Sequence, residues 1–296
     1  MFFTHQRLHV KHAEKHNEKH RSPTHYDLPL TSFNNWLAGV TDGDGSFSFS
    51  INKRKNRIWN CTFKIGQSRY NLKLLYYIKK NLKYGSINLK AGKNMAEFRI
   101  RDRKTLLNLI VPLFKKHPLY STKQFYFSRM CKALEILENK TLSTSEKDVF
   151  LTALKENFPE QNYVSCSWEN SPSLEWIYGF SENEASFFIV NKDKAVNRMC
   201  HCFGMTQKLD KIIPDFLKKK FHIPSKVVYT KRKIYKLETS NSRSIKYIQK
   251  FFLNKLKGIK SLEYKIWSRS LNYKKDNEKL LKIQNQLREL RNRYKK

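Results

Sequence analysis

The chain has 296 residues, of which 40% are hydrophobic and 14% aromatic, so it has enough apolar material for two packed domains and is not globally disordered. Its 59 basic and 25 acidic residues leave a formal net charge of +34, which indicates a polyanionic partner. Nucleic acid is favoured over a membrane because the basic residues are spread along the chain, and no apolar run reaches the ~18 residues that a membrane helix needs.

The five cysteines are an odd number and form no CxxC pair, so we expect free thiols in a reducing compartment. Cys200 and Cys202 are two residues apart and supply no complete zinc set. The N-terminus has basic residues but no apolar core, so we do not expect it to be a secretory signal.

Residues 1–28 are polar, basic and rich in histidine, and we predict a mostly disordered extension. Five of the histidines follow helical spacing of three and four residues, which leaves a metal-binding stripe as the alternative reading.

The first half, residues 29–140, opens with a predicted helix over 30–42 that has Thr31 or Ser32 as its N-cap. Two strands of strict period two follow, around a basic turn at 53–57. Their apolar side chains should pack under a sheet: Phe47, Phe49, Ile51, Trp59, Phe63 and Ile65. A helix over 71–82, a hairpin of 84–90 and 95–101, and helices over 103–114 and 122–137 complete this half.

The second half, residues 173–272, repeats the same order of elements. We predict a helix over 173–182, strands over 186–192 and 198–207, a helix over 209–220, strands over 226–231 and 233–239, and helices over 241–254 and 259–272. Residues 141–172 are interpreted as a linker with one short helix at 146–157, and residues 273–296 as a basic C-terminal helix or tail.

The most informative feature is a short motif that occurs twice. The first copy, Trp36-Leu-Ala-Gly-Val-Thr-Asp-Gly-Asp44-Gly-Ser-Phe47, aligns with Trp176-Ile-Tyr-Gly-Phe-Ser-Glu-Asn-Glu184-Ala-Ser-Phe187 at a constant separation of 140 residues. Phe63 and Gln67 match Phe203 and Gln207 at the same separation, so the repeat extends beyond the motif.

Glycines on one helix face allow two helix backbones to approach closely, and an acid at the end of each helix would then face its counterpart. Two adjacent carboxylates repel unless a divalent cation lies between them, and hard oxygen ligands suit Mg²⁺, with Mn²⁺ as a substitute. A metal held there activates water and polarises a phosphoryl oxygen, as in many nucleases.

The two motifs resemble those of the LAGLIDADG homing endonucleases in their single-chain, two-repeat form, and the resemblance covers roughly residues 30 to 272. It implies an α+β fold of two pseudo-symmetric αββαββα repeats that pack through the motif helices, each repeat offering a saddle-shaped antiparallel sheet to DNA. The second motif departs at Tyr178, Asn183 and Ala185, which predicts looser helix packing or two unequal cleavage centres, the weaker one around Glu184.

The resemblance also implies roles for individual residues. The metal-binding acids would be Asp44 and Glu184, with the backbone carbonyls of Gly43 and Asn183 nearby. Gln67 and Gln207 would order active-site water, and Lys123 and Lys260 would stabilise charge on the phosphate or help to activate water.

A large set of polar and basic side chains would face DNA, where the major groove distinguishes all four base pairs. The first half would contribute Ser46, Ser48, Ser50, Asn52, Lys53, Arg54, Asn60, Thr62, Lys64, Ser86, Asn88, Lys90, Arg99 and Arg101. The second half would contribute Asn191, Lys192, Arg198, Thr230, Lys231, Arg232, Lys233 and Lys236, and its sheet face is less polar because Phe188 and Val190 replace Ser48 and Ser50.

The function that the resemblance implies is a monomeric, intron-encoded, site-specific DNA endonuclease that cuts both strands of a long asymmetric site across the minor groove and leaves short 3′ overhangs. The expected origin is organellar, in a mitochondrion or chloroplast. An intron maturase on the same fold, with intron RNA as its partner, is the alternative, alone or as a second activity. A DNA-binding regulator without chemistry is a poorer fit because both acids are present.

Overall fold

The computed structural model describes residues 30–52, 58–156, 168, 171–193 and 195–295. In the first half the elements are, in chain order, α1 (Thr31–Asp44), β1 (Gly45–Asn52), β2 (Ile58–Ser68), α2 (Leu72–Leu82), β3 (Ser86–Leu89), β4 (Met95–Ile100), α3 (Arg103–Thr105), α4 (Val111–Lys116), α5 (Lys123–Glu138) and α6 (Thr144–Glu156). Short 3₁₀ turns at Arg69–Asn71 and Leu271–Tyr273 extend neighbouring helices.

The second half repeats this order, as the sequence predicts. Its elements are α7 (Leu174–Glu184), β5 (Ser186–Asp193), β6 (Arg198–Gln207), α8 (Ile212–Lys220), β7 (Val228–Tyr229), β8 (Tyr235–Thr239), α9 (Ser242–Phe251), α10 (Lys260–Ser270) and α11 (Asn277–Lys295). The predicted α+β fold of two repeats is therefore confirmed.

Each half contains one antiparallel four-stranded sheet, ordered β1-β2-β4-β3 in the first half and β5-β6-β8-β7 in the second. The period-two alternation predicts which side of the first sheet is covered: Phe47, Trp59, Phe63 and Ile65 are all buried. Ile51, at the far end of β1, is only half-buried. Both halves thus bury one sheet face under helices and leave the other open.

Two helical details differ from the sequence-based expectation. The N-cap of α1 is Leu30, which has no side chain able to cap, and the candidates Thr31 and Ser32 lie inside the first turn. The helix predicted over 103–114 is interrupted by a π-helical turn at Leu106–Ile110. Pro112 follows this turn and has no N–H to donate, so the backbone hydrogen bonds are rearranged just before it.

Two helices outside the predicted repeats pack against them. Leu151 of α6 is fully buried, and α6 lies against α5. In α11, Leu280 and Leu287 are buried against the second half, and Gln284 donates to the backbone oxygen of Ile189 in β5 at 2.7 Å. These helices extend the core of the halves that they follow.

None of the described helices has the length and apolar character that crossing a bilayer requires. Cys61, Cys131, Cys200 and Cys202 are free thiols, and Cys166 lies outside the described residues.

Candidate active site and nucleic-acid interface

The two motif helices, α1 and α7, cross at a pair of glycines. A Cβ atom on Gly39 would overlap the backbone of Trp176 and Phe180, and one on Gly179 would overlap the backbone of Trp36 and Val40. Each glycine therefore accommodates the main chain of the other helix. This close approach brings the C-terminal ends of α1 and α7 together, and with them the two acids of the motif.

A hydrogen-bond network joins the acid of the first motif to the second motif. The Gln67 amide donates to Asp44 Oδ2 at 2.7 Å and to Asn183 Oδ1 at 2.8 Å. Asn183 in turn donates to the backbone oxygen of Val40 at 3.1 Å. The asparagine that departs from the family pattern thus strengthens the contact between the halves, contrary to the expectation that the drifted motif loosens the packing.

The departure at Tyr178 is also accommodated without disturbing the crossing. Its ring is half-buried and packs against Phe251 and Phe252, with ring centroids 5.0 and 6.2 Å away. This places the bulky side chain on the side of α7 that faces its own half, away from α1.

The two acids influence each other's ionisation. Removal from water and the nearby charge of Asp44 raise the pKa of Glu184 to about 7, against the opposing effect of Lys260 and Lys123. Asp44 opens toward the cleft, yet the surrounding protein still raises its pKa, opposed by the Gln67 hydrogen bond and both lysines. A cation placed between the two carboxylates would relieve this repulsion.

The two lysines lie at equivalent places, each as the first residue of a helix: Lys123 in α5 and Lys260 in α10. Both are near enough to lower the pKa of both acids. Lys260 also forms an ion pair with the buried Glu263, with Nζ and Oε2 3.4 Å apart. The predicted acids and lysines therefore lie in one cleft between the halves.

Two buried acids of the motifs, Asp42 and Glu182, hold the chain just before these lysines. Asp42 accepts the backbone N–H groups of Tyr120 and Ser121 at 2.8 and 3.0 Å, and the Ser121 hydroxyl. Burial raises its pKa to about 6 against these bonds.

Glu182 plays the equivalent part in the second half, where it accepts from Lys257 and Gly258 N–H. Burial raises its pKa to about 7. No role was predicted for Asp42 and Glu182, although both are acids at matching motif positions 140 residues apart, and this repeat could have identified them.

Gln207 and Gln67 are not equivalent in their contacts. Gln207 lines a cavity of about 180 Å³ together with Gly43, Lys123 and Asp210. Within the described part of the chain it forms no hydrogen bond to Glu184 like that of Gln67 to Asp44. The two glutamines therefore occupy equivalent positions in the repeat, but they do not make equivalent hydrogen bonds.

The residues at the cleft suit a hard divalent cation. Asp44 and Glu184 supply carboxylate oxygens, and the last turns of α1 and α7 end beside them. Among the described residues no group of three or more His, Cys, Asp or Glu side chains forms a metal site. An ion held by two carboxylates would fill its other positions with water, main-chain carbonyls or phosphate oxygens, as Mg²⁺ does in phosphate-processing sites.

The open face of the first sheet is polar, as predicted. Strand register aligns Ser86, Arg99, Lys64 and Ser46 in one row across all four strands. Ser48 lies opposite Thr62 and Ser50 opposite Asn60, while Asn88 lies opposite Glu97. Lys90 and Arg101 are exposed at the ends of this hairpin, and Glu97 pairs with Lys90 and Arg99.

The open face of the second sheet carries fewer polar groups. Phe188 lies opposite Cys202 and Val190 opposite Cys200, which agrees with the expected loss of polarity. Lys192, Arg198 and Lys236 are on this face, and Thr230, Lys231, Arg232 and Lys233 form the turn between β7 and β8. Asn191 instead follows the inward parity, opposite the buried Met199, which argues against the predicted contact of its side chain with DNA.

Three expectations lie outside the described residues: the histidine-rich extension at 1–28, Lys53 and Arg54. Asn52 belongs to β1, but its side chain is not described.

Comparison with known proteins identifies relatives across most of the chain. A family model described as LAGLIDADG endonuclease matches residues 37–134. "Probable intron-encoded endonuclease Cox1-I1b" of Schizosaccharomyces pombe is 36% identical over 89% of this chain and 70% of its own length. "Probable intron-encoded endonuclease aI3" of Kluyveromyces lactis is 28% identical over 79% of this chain and 64% of its own length.

Solved structures share the fold. The LAGLIDADG meganuclease I-CpaMI bound to uncleaved DNA is 25% identical, with a TM-score of 0.72 over 85% of this chain and 98% of its own. The I-LtrWI LAGLIDADG homing endonuclease bound to target DNA is 22% identical, with a TM-score of 0.74 over 86% and 97%. With the repeated motif, the paired acids and the identity to the S. pombe protein, these matches show that the chain belongs to the LAGLIDADG endonuclease family.

Proposed function

We propose that the chain is an intron-encoded, site-specific endonuclease that cuts both strands of a long, asymmetric DNA duplex with a divalent cation, Mg²⁺ or Mn²⁺. The observation that carries the proposal is the cleft in which Asp44, Glu184, Lys123 and Lys260 meet at the junction of two open sheets. Family membership and relatives named as intron-encoded endonucleases support it.

The residues of the cleft have separate tasks. Asp44 and Glu184, with the carbonyls of Gly43 and Asn183, would hold the cation, which supplies Lewis-acid polarisation of the phosphate and activation of water. Gln67 fixes the Asp44 carboxylate through its hydrogen bond and keeps it oriented into the cleft. Lys123 and Lys260 place positive charge where negative charge builds on the scissile phosphates.

The two sheets would read the target unequally. The first presents hydrogen-bonding side chains in rows, and the second presents Phe188 and Val190, which suit contact with thymine methyl groups. Different faces on the two halves favour an asymmetric site.

Because one chain supplies both acids and both lysines, a monomer suffices for cutting both strands.

An organellar gene is part of the proposal, because relatives carry names that refer to cox1 introns.

Light scattering of the complex with a cut or bound duplex tests whether one chain binds each duplex. A mass that corresponds to two chains per duplex would contradict the monomer.

The decisive experiment is selection of cut sites from a library of intronless insertion-site duplexes with Mg²⁺. Wild type should cut a defined site, while Asp44→Asn and Glu184→Gln should bind it and cut at least ~100-fold more slowly, as expected when a metal-held transition-state interaction is lost. Glu278→Gln on the exposed surface of α11 is the matched control, since it removes one negative charge from a residue that does not belong to the cleft. Binding without cutting by wild type would refute the function, and equal cutting by the two variants would refute the assignment of the acids.

A further inference from the structure

The two halves are joined beyond the motif helices by hydrogen bonds that reach the start of the opposite lysine helix. Asp210, just before α8 in the second half, accepts the Thr122 N–H at 3.1 Å and the Thr122 hydroxyl at 2.7 Å through Oδ2. Asn71, just before α2 in the first half, accepts the Ile259 N–H at 2.8 Å through Oδ1. Thr122 and Ile259 immediately precede Lys123 and Lys260.

These two contacts complete a repeated pattern. In each half, two successive N–H groups before the lysine are bound by the buried acid of the same half's motif, Asp42 or Glu182. The third N–H is bound by a side chain of the other half. The start of each lysine helix is therefore fixed from both halves at once.

The surroundings of both side chains support these bonds. Asn71 occupies the N-cap position of α2 yet does not cap that helix with its side chain, although asparagine is among the preferred N-cap residues. Asp210 is 3% exposed, and a carboxylate so buried is costly unless its oxygens are hydrogen-bonded. Gly258 fits the same arrangement, because a Cβ there would lie 2.6 Å from Asn71 Oδ1.

We propose that Asp210 and Asn71 are positioning residues, and that each half of the chain places the active-site lysine of the other half, Asp210 for Lys123 and Asn71 for Lys260. The meaning of this contact for cleavage rests on the proposed function. The contact itself is a property of the free protein and is tested separately.

The two positioning residues differ in the groups to which their hydrogen bonds connect. Asn71 also donates to Gln67 Oε1 at 2.6 Å, and Gln67 donates to Asp44, so a continuous chain of hydrogen bonds runs from the first metal-binding acid to the start of α10. Loss of Asn71 should therefore disturb Asp44 as well as Lys260. Loss of Asp210 removes the bonds to Thr122 and should act mainly on Lys123.

The contact is tested on the full-length free protein by hydrogen exchange with residue-level mass spectrometry. We expect exchange at least ~10-fold faster at Thr122 in Asp210→Ala and at Ile259 in Asn71→Ala, because each loses its hydrogen-bond acceptor. Asp215→Ala, which removes an exposed partner of Lys211, and Asn81→Ala, which removes a bond within α2, are matched controls that should leave both sites unchanged. Unchanged exchange in the two test variants overturns the proposal.

The consequence for cleavage is read from single-turnover nicking of each strand of the duplex that wild type cuts. Asp210→Ala should slow one strand by about 10- to 100-fold, the strand that Lys123→Ala slows, because small misplacement of a reacting group is costly. Asn71→Ala should slow the strand that depends on Lys260 and, through Gln67, should also weaken the steps that depend on Asp44. DNA affinity should change by less than about 2-fold, and Asp210→Asn, which keeps an oxygen acceptor, should recover most of the rate.

The outcomes separate the two proposals. Faster exchange with both strands cut at wild-type rates, or with both strands slowed equally by Asp210→Ala, refutes the positioning role. A wild type that cuts no duplex refutes the proposed function while the exchange experiment still decides the contact. If Asn71→Ala fails to fold, Gly258→Ala is the second variant, because its added methyl group would crowd Asn71 Oδ1 at 2.6 Å and Glu182 Oε2 at 3.1 Å. Exchange at Ile259, whose N–H Asn71 accepts, then reports the loss of the Asn71 contact, and unchanged exchange there overturns the proposal.

Discussion

Replacing Gly39 with alanine should destabilise the protein by forcing the two motif helices apart. The new Cβ would lie 2.7 Å from the Phe180 nitrogen and 2.9 Å from the Trp176 carbonyl carbon, with the Trp176 oxygen closer still. Ordinary contact begins at 3.4 Å, so the helices must separate by at least 0.7 Å. All three atoms belong to the backbone, and no side chain can rotate away.

The expected cost follows from opposing contributions. Overpacking costs about 1–3 kcal/mol, and a rigid backbone neighbour favours the upper end. Alanine gains about 1 kcal/mol of helix propensity over glycine. The hydrogen bond from Asn183 to the Val40 oxygen, worth about 1 kcal/mol, spans the same crossing and should weaken. The net loss in the free energy of unfolding is about 2–3 kcal/mol.

Urea unfolding followed by circular dichroism measures this loss, and Gly66→Ala is the matched control. Gly66 lies in β2, and the nearest atom to its Cβ would be the end of the Met95 side chain at 3.9 Å. Gly179→Ala should behave like Gly39→Ala, because its Cβ would lie 2.8 Å from the Trp36 carbonyl carbon. If Gly39→Ala unfolds at the same urea concentration as Gly66→Ala, the close approach of the two helix backbones does not exclude a side chain at position 39.

Three further predictions concern pH, the C-terminal helix and salt. Burial lowers the pKa of His201 to about 4, so the unfolded state binds a proton that the folded state does not, and the contribution of His201 to stability falls as the pH drops from about 6.5 to 4. The raised pKa values of Asp42, Glu182 and Glu184 act in the opposite direction, so the effect is measured as the difference in melting temperature between wild type and His201→Gln. This difference should move in favour of the variant as the pH falls across that range, and a constant difference would contradict the prediction. Arg291→Met removes one donor from the buried Glu263 carboxylate, which keeps the Phe187 N–H and Lys260 as partners, and removes the guanidinium from the Phe187 oxygen. The loss should cost about 2 kcal/mol in urea unfolding, and an unchanged midpoint would count against this role of α11. Binding to the cut duplex, measured by fluorescence anisotropy, should weaken steeply with salt. Serine at all three positions 231–233 should reduce the slope of log binding constant against log salt concentration by about 1–3, since each phosphate contact contributes about 0.9. An unaltered slope would show that this turn does not contact the DNA backbone.

The sequence predicts the repeated architecture because its signals are local. Period-two alternation identifies the covered face of the first sheet at Phe47 and Phe63, and the motif glycine identifies the helix that crosses its counterpart. The separation of 140 residues then relates one half to the other. Asn191 obeys the same alternation, because Val190 before it lies on the open face, so the pattern alone argues against placing Asn191 among the side chains that face DNA.

The contacts between the halves were not predictable in the same way. Asn71 and Asp210 have ordinary neighbours in the sequence, and their partners are 188 and 88 residues away. Nothing in a local pattern distinguishes an asparagine that caps its own helix from one that turns toward another domain. The same limitation explains why Gln67 and Gln207, identical in the repeat, differ in their hydrogen bonds.

The crossing of α1 with α7 also has a consequence for how the chain is made. About 130 residues separate the end of α1 from the start of α7, which takes roughly 6 to 26 s at 5–20 residues per second of synthesis. Throughout that interval the groove at Gly39 has no partner, and a nascent chain carries one acid without the other. The order of elements therefore delays assembly of the cleft until α7 has left the ribosome, so an unfinished chain is a folding hazard but not yet a nuclease.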